Sequence, residues 1–224
     1  MAISDSLQAV KTRITAACVA AGRPSNAVQL LVVSKTFPAA AVREAFEAGA
    51  RAFGENYVQE GLGKIGELLD LRGQTAWHLI GPLQSNKTKS VAEQFDWVHS
   101  VDRLKIAQRL SEQRPAELPP LNICLQINIS GEASKSGLLP GEVAALAHQV
   151  AALPRLALRG LMAVPEPGPG ALAQHQAMAA LRESLKAEGL QLDTLSLGMS
   201  ADLEDAIAAG STMVRVGSAI FGAR

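Results

Sequence analysis

Scarcity narrows the field before any motif is read. Two cysteines occur in 224 residues, Cys18 and Cys124, far apart and each in an apolar segment. They read as small core residues in a reducing compartment, not as a disulfide or a metal pair. Neither sign of charge is in excess, with 21 basic and 21 acidic side chains. Nothing in that balance would draw the chain onto nucleic acid or an anionic membrane. The basic segment Lys87-Thr88-Lys89 is brief, carries no interleaved aromatics and reads as a solvated helix start. No apolar run approaches the roughly 18 residues a membrane span requires. The stretch Met1-Ala2-Ile3-Ser4-Asp5 has neither a basic n-region nor an apolar h-region, so no export signal is expected. A cytoplasmic protein without nucleic-acid or membrane partners is the expectation. The four histidines have no metal-ligand spacing, and no metal site is expected; His148 and His175 fall in helical stretches and read as outer-face residues.

What is present is enough apolar residue, 48%, for one sizeable core. A single domain over residues 1–224 is expected. Leu7, Val10, Ile14 and Cys18 form a helical stripe that Gly22 and Pro24 bring to an end. Strand-like runs follow at 28–34, 51–54, 76–81, 96–100, 121–129, 156–163, 193–198 and 212–216. Helical stretches separate them at 38–49, 56–70, 85–94, 102–114, 140–152, 170–188 and 201–209, and a short turn of helix closes the chain at 218–223. Eight strand–helix units predict an α/β fold, a (β/α)₈ TIM barrel with an extra N-terminal helix. A doubly wound open sheet is the runner-up. It usually manages with fewer units and favours a Gly-rich first turn, whereas the first turn here is Ser34-Lys35-Thr36-Phe37-Pro38. Pro165-Glu166-Pro167-Gly168-Pro169-Gly170 reads as a loop, and Ser130 to Gly137 as a lid or connector after strand five.

In such a barrel, chemistry gathers where strands end and βα loops begin. Lys35, Asn56, His78, Met162, Ser200 and Arg215 lie at or just after the C-terminal ends of six predicted strands. Lys35 closes the apolar run Leu30-Leu31-Val32-Val33-Ser34. A lysine there either snorkels to solvent or is held in the mouth as an amine able to attack a carbonyl. Near the other terminus, Gly198-Met199-Ser200-Ala201-Asp202 and Gly217-Ser218-Ala219-Ile220 resemble the two halves of a phosphate cradle. Each places a glycine and a hydroxyl where a helix is expected to start, after strands seven and eight. Ser200 could equally be a plain helix cap. A reactive lysine with a phosphate cup suggests a phosphorylated aldehyde held as a Schiff base, with pyridoxal 5′-phosphate as the candidate cofactor. Arg215 either closes the barrel by a salt bridge or faces a ring nitrogen. His78 and Asn56 have ordinary structural readings beside a ligand-contacting one, and Met162 packs on a ring or fills core.

Val32-Val33-Ser34-Lys35-Thr36, Phe53-Gly54-Glu55-Asn56-Tyr57, the run from Trp77 to Lys87, Leu197 to Asp202 and Val214 to Gly222 together resemble the pyridoxal phosphate homeostasis proteins. That family is a single barrel similar to the N-terminal domain of alanine racemase. The resemblance implies that Lys35 carries the cofactor as a Schiff base. It implies phosphate contacts from Ser200, Gly217 and Ser218, with Arg215 on the pyridine nitrogen and Asn56, His78 and Met162 lining the ring pocket. Lys135 matches a loop lysine linked to cofactor transfer. Phe37 departs from the pattern, since many members carry a second lysine there.

The implied role is binding and delivery of the cofactor, with amino-acid and keto-acid balance affected indirectly and PLP-dependent apo-enzymes as recipients. A monomer without robust turnover is expected. An alanine-type racemase needs a second base on the opposite ring face, and this chain ends as its barrel closes. The alternative is a weak racemase-like enzyme on amino acids; from fold alone, a lysine aldolase on sugar phosphates is a third.

Overall fold

The computed structural model describes residues 2–132, 134–165, 168 and 170–222. The first element is the predicted amphipathic helix, α1 (Ile3–Ala20), whose Leu7, Val10, Ile14 and Cys18 are all buried. Eight strands follow: β1 (Gln29–Val33), β2 (Ala52–Glu55), β3 (Ala76–Leu79), β4 (Trp97–Val101), β5 (Leu121–Gln126), β6 (Leu156–Met162), β7 (Thr194–Ser196) and β8 (Met213–Val216). Between and after them run α2 (Ala39–Glu47), α3 (Val58–Glu67), α4 (Thr88–Gln94), α5 (Leu104–Gln113), α6 (Val143–Ala151), α7 (Ala171–Ala187), α8 (Leu203–Ala208) and α9 (Ser218–Phe221).

The strands pair in sequence order and close into a barrel. The closing seam is parallel, from Gln29 opposite Met213 to Val32 opposite Val216. All eight strands fall inside or within a residue of the predicted runs. β5 and β7 are shorter than predicted because Ile127 leaves the sheet to bridge Leu138, while Leu197 and Gly198 already belong to the following loop. α1 packs against α2, α8 and α9, beside the seam that joins the first strand to the last.

Alternation along each strand sends side chains to opposite faces. Outward residues such as Phe53, Trp77, Leu79, Val98 and Ile123 merge with Val42, Ile65, Val91, Leu110 and Val150 of the helices into one large core. The inner space is differently furnished. Leu31, Ala52 and Met213 form a small apolar cluster there, with Ile80 against it. Much of the remaining interior is polar or aromatic: His78 stacks on Trp97 at 5.1 Å, His99 lies beside both, and Ser196 and Arg215 are buried. Cys18 and Cys124 are buried and unbridged, as expected. His148 is exposed and pairs with Glu188. His175 is a correction: it is buried against Asp202 rather than set on an outer face. Among the described residues no helix is long and apolar enough to cross a membrane, and no three metal-ligating side chains cluster. Within the predicted loops, Ala133, Glu166, Pro167 and Pro169 lie outside the described residues.

Candidate functional site at the barrel mouth

The βα side of the barrel opens into a cavity of about 500 Å³. Its wall takes Lys35 from the end of β1, Asn56 from the end of β2 and Met162 from β6. Ser200 comes from the loop after β7, and Arg215, Gly217 and Ser218 from β8 and its continuation. Seven of the eight residues singled out in the sequence therefore meet in one place. His78 does not. Its neighbours Trp77 and Leu79 belong to the outer core, so the ring points inward, fully buried and off the cavity wall.

The two glycine–serine segments come together as one cup. Ser200 Oγ and Ser218 Oγ lie 3.4 Å apart, although they come from different loops. Gly198 has φ +92°, and a Cβ on it would sit 2.5 Å from that of Ala206. Gly217 presses its backbone against the end of β1, where a Cβ would come within 2.7 Å of the Val33 carbonyl oxygen. The first loop is anchored from outside the cavity. Met199 N–H donates to Asp202 Oδ1 at 2.7 Å, His175 Nε2 lies 2.9 Å from Asp202 Oδ2, and Arg13 donates to the Ser200 carbonyl at 3.2 Å. Burial opposes ionisation of Asp202, but the bonds from His175 and Met199 outweigh it and hold the carboxyl below its usual range. Ser200 is not the helix cap that the sequence suggested. α8 begins only at Leu203, and residues 200–202 form a turn. Asn56 does not cap α3 either, since Tyr57 precedes that helix.

Arg215 lies on the cavity wall and hydrogen-bonds to no carboxylate among the described residues. Its guanidinium donates to the Ser196 carbonyl at 2.6 Å, to Ser196 Oγ at 2.8 Å and to the Ala163 carbonyl at 2.8 Å. All three acceptors are neutral. Burial draws its pKa down to about 10, so it stays charged at neutral pH. Behind it a hydrogen-bonded line runs inward: Ser196 Oγ lies 3.1 Å from His99 Nδ1, and His99 Nε2 lies 3.0 Å from His78 Nδ1. Burial pushes His78 down to about 3 and His99 well below its ordinary value. Both rings are thus neutral and serve the interior as hydrogen-bonding spacers.

Other residues of the wall escaped the sequence reading. Val33, Ile80, Val164 and Met199 supply its apolar part, and Phe37 stacks on Phe221 of α9 with ring centroids 4.7 Å apart. Phe37 occupies the position where the resembled family often has lysine. A smaller cavity of about 210 Å³ adjoins the first, sharing Asn56, Ile80 and Val164 and including Lys135. Lys135 pairs with Glu132 at 2.6 Å. The main cavity suits a phosphorylated heteroaromatic aldehyde on three counts. Its volume is in the range of about 300–1,000 Å³ typical of small-ligand sites. Its cup pairs two hydroxyls over backbone that excludes side chains, and its wall carries one amine and one fixed guanidinium.

This closed parallel barrel belongs to the class defined by the alanine racemase N-terminal domain, whose family model matches residues 6–224. Within it, the chain belongs to the family of pyridoxal phosphate homeostasis proteins. It is 64% identical to the protein of that name from Pseudomonas aeruginosa over 222 residues, covering 99% of this chain and 96% of the relative. The Escherichia coli relative of the same name is 57% identical over 227 residues, covering 99% and 97% of the two chains. Among solved structures, PipY of Synechococcus elongatus with PLP bound superposes with a TM-score of 0.85 at 38% identity, covering 98% of this chain and all of that one.

Proposed function

We propose that this chain holds pyridoxal 5′-phosphate through a covalent bond to Lys35 and releases it to PLP-dependent apo-enzymes, without robust turnover of its own. The observation that carries the reading is the meeting of the Lys35 amine, the Arg215 guanidinium and the Ser200–Ser218 hydroxyl pair on one cavity wall. The names of the relatives and the PLP-bound PipY structure support it. When bound, the cofactor supplies an aldehyde that an amine captures and a ring that can withdraw electrons.

In this reading Ser200, Ser218 and the Gly217 backbone bind the phosphate, and Lys35 provides the capturing amine. Arg215 donates to the ring nitrogen, while Asn56 and Met162 flank the ring. His78 is reassigned from ring contact to support of Arg215 through His99 and Ser196. Against an amino-acid racemase stands the chemistry of the wall. Among the described lining residues only Lys35 and Arg215 are titratable, and arginine does not give up its proton. A two-base exchange would need a further acceptor. We further propose one functional domain over residues 1–224, acting as a cytoplasmic monomer.

The test is an absorption spectrum of purified protein before and after borohydride, followed by peptide mapping. Label on Lys35, with no α-proton exchange from L-amino acids in deuterated water, is the expected result. Label absent from Lys35 in the parent protein would overturn the reading, and exchange would restore the racemase.

A further inference from the structure

Lys35 sits in a turn that its own sequence does not favour. Phe37 N–H donates to the Ser34 carbonyl at 3.1 Å, closing a four-residue turn with Lys35 second and Thr36 third. Thr36 has φ +66°. A positive φ at the third position calls for glycine or asparagine, and a β-branched residue there is strained. Such strain persists only where surrounding structure holds it, and it gathers at functional sites.

The holding structure is an ionic network, buried at Glu55 and Lys64 and partly exposed at Glu60. The Glu60 carboxylate accepts the Thr36 N–H. Its Oε1 also accepts from Lys64 Nζ at 2.7 Å. Lys64 then donates to the Ser34 carbonyl at 2.6 Å and to Glu55 Oε1 at 2.7 Å. Ser34 Oγ completes the circuit by donating to Glu55 Oε1 at 2.6 Å. The residues on both sides of Lys35 are therefore tied to one set of charges. The Glu55 and Lys64 side chains are 0% and 5% exposed, so water offers little competition there, while Glu60 is 25% exposed and meets Thr36 at the rim of the network. Burying these charges is costly. That cost accompanies a network that grips the turn from both ends.

We propose that Glu60 is a positioning residue for the Lys35 amine: it holds the Thr36 N–H, keeps the turn in its strained form and so fixes the backbone from which Lys35 reaches into the cavity. The inference rests on the proposed covalent role of Lys35. Glu60 is absent from the cavity wall and acts only through the turn. With Glu60→Ala, Thr36 loses its acceptor, relaxes to negative φ and frees the Lys35 backbone. Glu60→Gln keeps an acceptor for the N–H but loses the charge that pairs with Lys64. Glycine at position 36 takes positive φ without strain, so Thr36→Gly removes much of the need for the clamp.

The experiment measures the ratio of imine to free aldehyde in bound pyridoxal 5′-phosphate across pH, together with amide exchange at residue 36 in cofactor-free protein. Glu60→Ala is expected to lower the ratio about tenfold, the scale of one charge-assisted hydrogen bond, and to strip protection from the Thr36 amide. Glu60→Gln should show a smaller loss, and Thr36→Gly combined with either should restore the ratio towards that of the parent. A general structural role would lower the melting temperature without moving the ratio and would not be rescued at position 36. If Glu60→Ala fails to fold, Glu60→Gln with and without Thr36→Gly decides the matter by the same ratio. A parent labelled at Lys35 and a Glu60 variant with an unchanged ratio overturn this inference alone. A parent without label at Lys35 overturns the reading beneath it.

Discussion

Removing the hydroxyls of Ser200 and Ser218 tests the phosphate cup most directly. They lie 3.4 Å apart, close enough to share one anion. A hydrogen bond to a charged group contributes about 1.5–3 kcal/mol. Ser218 is exposed and Ser200 half-buried, so water competes and the lower end applies. Each alanine substitution should therefore cost about 1.5 kcal/mol, roughly tenfold in retention of pyridoxal 5′-phosphate. The double variant should fall short of a hundredfold loss, because neighbours serving one ligand couple by about 0.5–1 kcal/mol or more. The fold should survive, since Arg13 anchors the Ser200 carbonyl and not its hydroxyl. The assay is equilibrium titration followed by absorbance, with pyridoxal lacking the phosphate as a second ligand. Affinity for pyridoxal should hardly change. Equal losses for both ligands, or a loss under twofold for the phosphorylated one, would refute the assignment.

Gly198→Ala should destabilise the cofactor-free protein by about 2–5 kcal/mol, combining a left-handed backbone cost of about 1–2 with overpacking of about 1–3. The second contribution comes from the 2.5 Å approach to Ala206 Cβ. An unchanged denaturant midpoint would show that the loop after β7 is freer than its geometry indicates. Acidification should also destabilise, because His78 and His99 are buried neutral and their folded-state pKa values lie below the ordinary 6.5. The unfolded chain then binds protons first, so their contribution is complete above 6.5 and is lost as pH falls, for His78 down through about 3. Between pH 6.5 and about 5.5 the two together should remove about 2 kcal/mol, measurable by urea unfolding at each pH. His78→Asn should roughly halve that slope, and a parent protein with no slope there would contradict the neutral assignment.

The strands and the rim were readable because local pattern and barrel geometry agree. Leu30 to Val33 is apolar throughout, as a strand between two cores must be, and the residue that follows has to emerge at the mouth. The same logic located Asn56, Met162, Ser200 and the Arg215–Ser218 segment. It misplaced His78 because every second residue of a strand faces inward, and the inward position that reaches the cavity wall after β3 is Ile80, two residues further on. His175 was misread for a related reason. A helical stretch shows its apolar stripe, but a buried polar residue is explained only by a distant partner, here Asp202 at 2.9 Å. The Glu60–Lys64 pair was visible as an i,i+4 spacing, which ordinarily marks a solvated helix face. Its attachment to Ser34 and Thr36 depends on β1 and β2 being neighbours, which no local pattern reports.

On the proposed function, Arg215 gives a reason why a site with a capturing amine would hold a cofactor without exploiting it. Its three acceptors are two carbonyls and a hydroxyl, so among the described residues no carboxylate is hydrogen-bonded to the guanidinium. His99 approaches the same hydroxyl as a neutral ring and adds no charge that would displace the arginine. A donor that keeps its proton leaves a facing pyridine nitrogen unprotonated, and an unprotonated ring stabilises carbanions poorly. On the proposed reading, tight grip and weak activation come from different side chains of one cavity wall. The cup and the amine would supply binding, while the guanidinium would restrain the ring from driving chemistry at the attached atom. The proposed storage role would be served by that combination, because a ring strongly activated within the cavity would turn over amino acids while the cofactor is held.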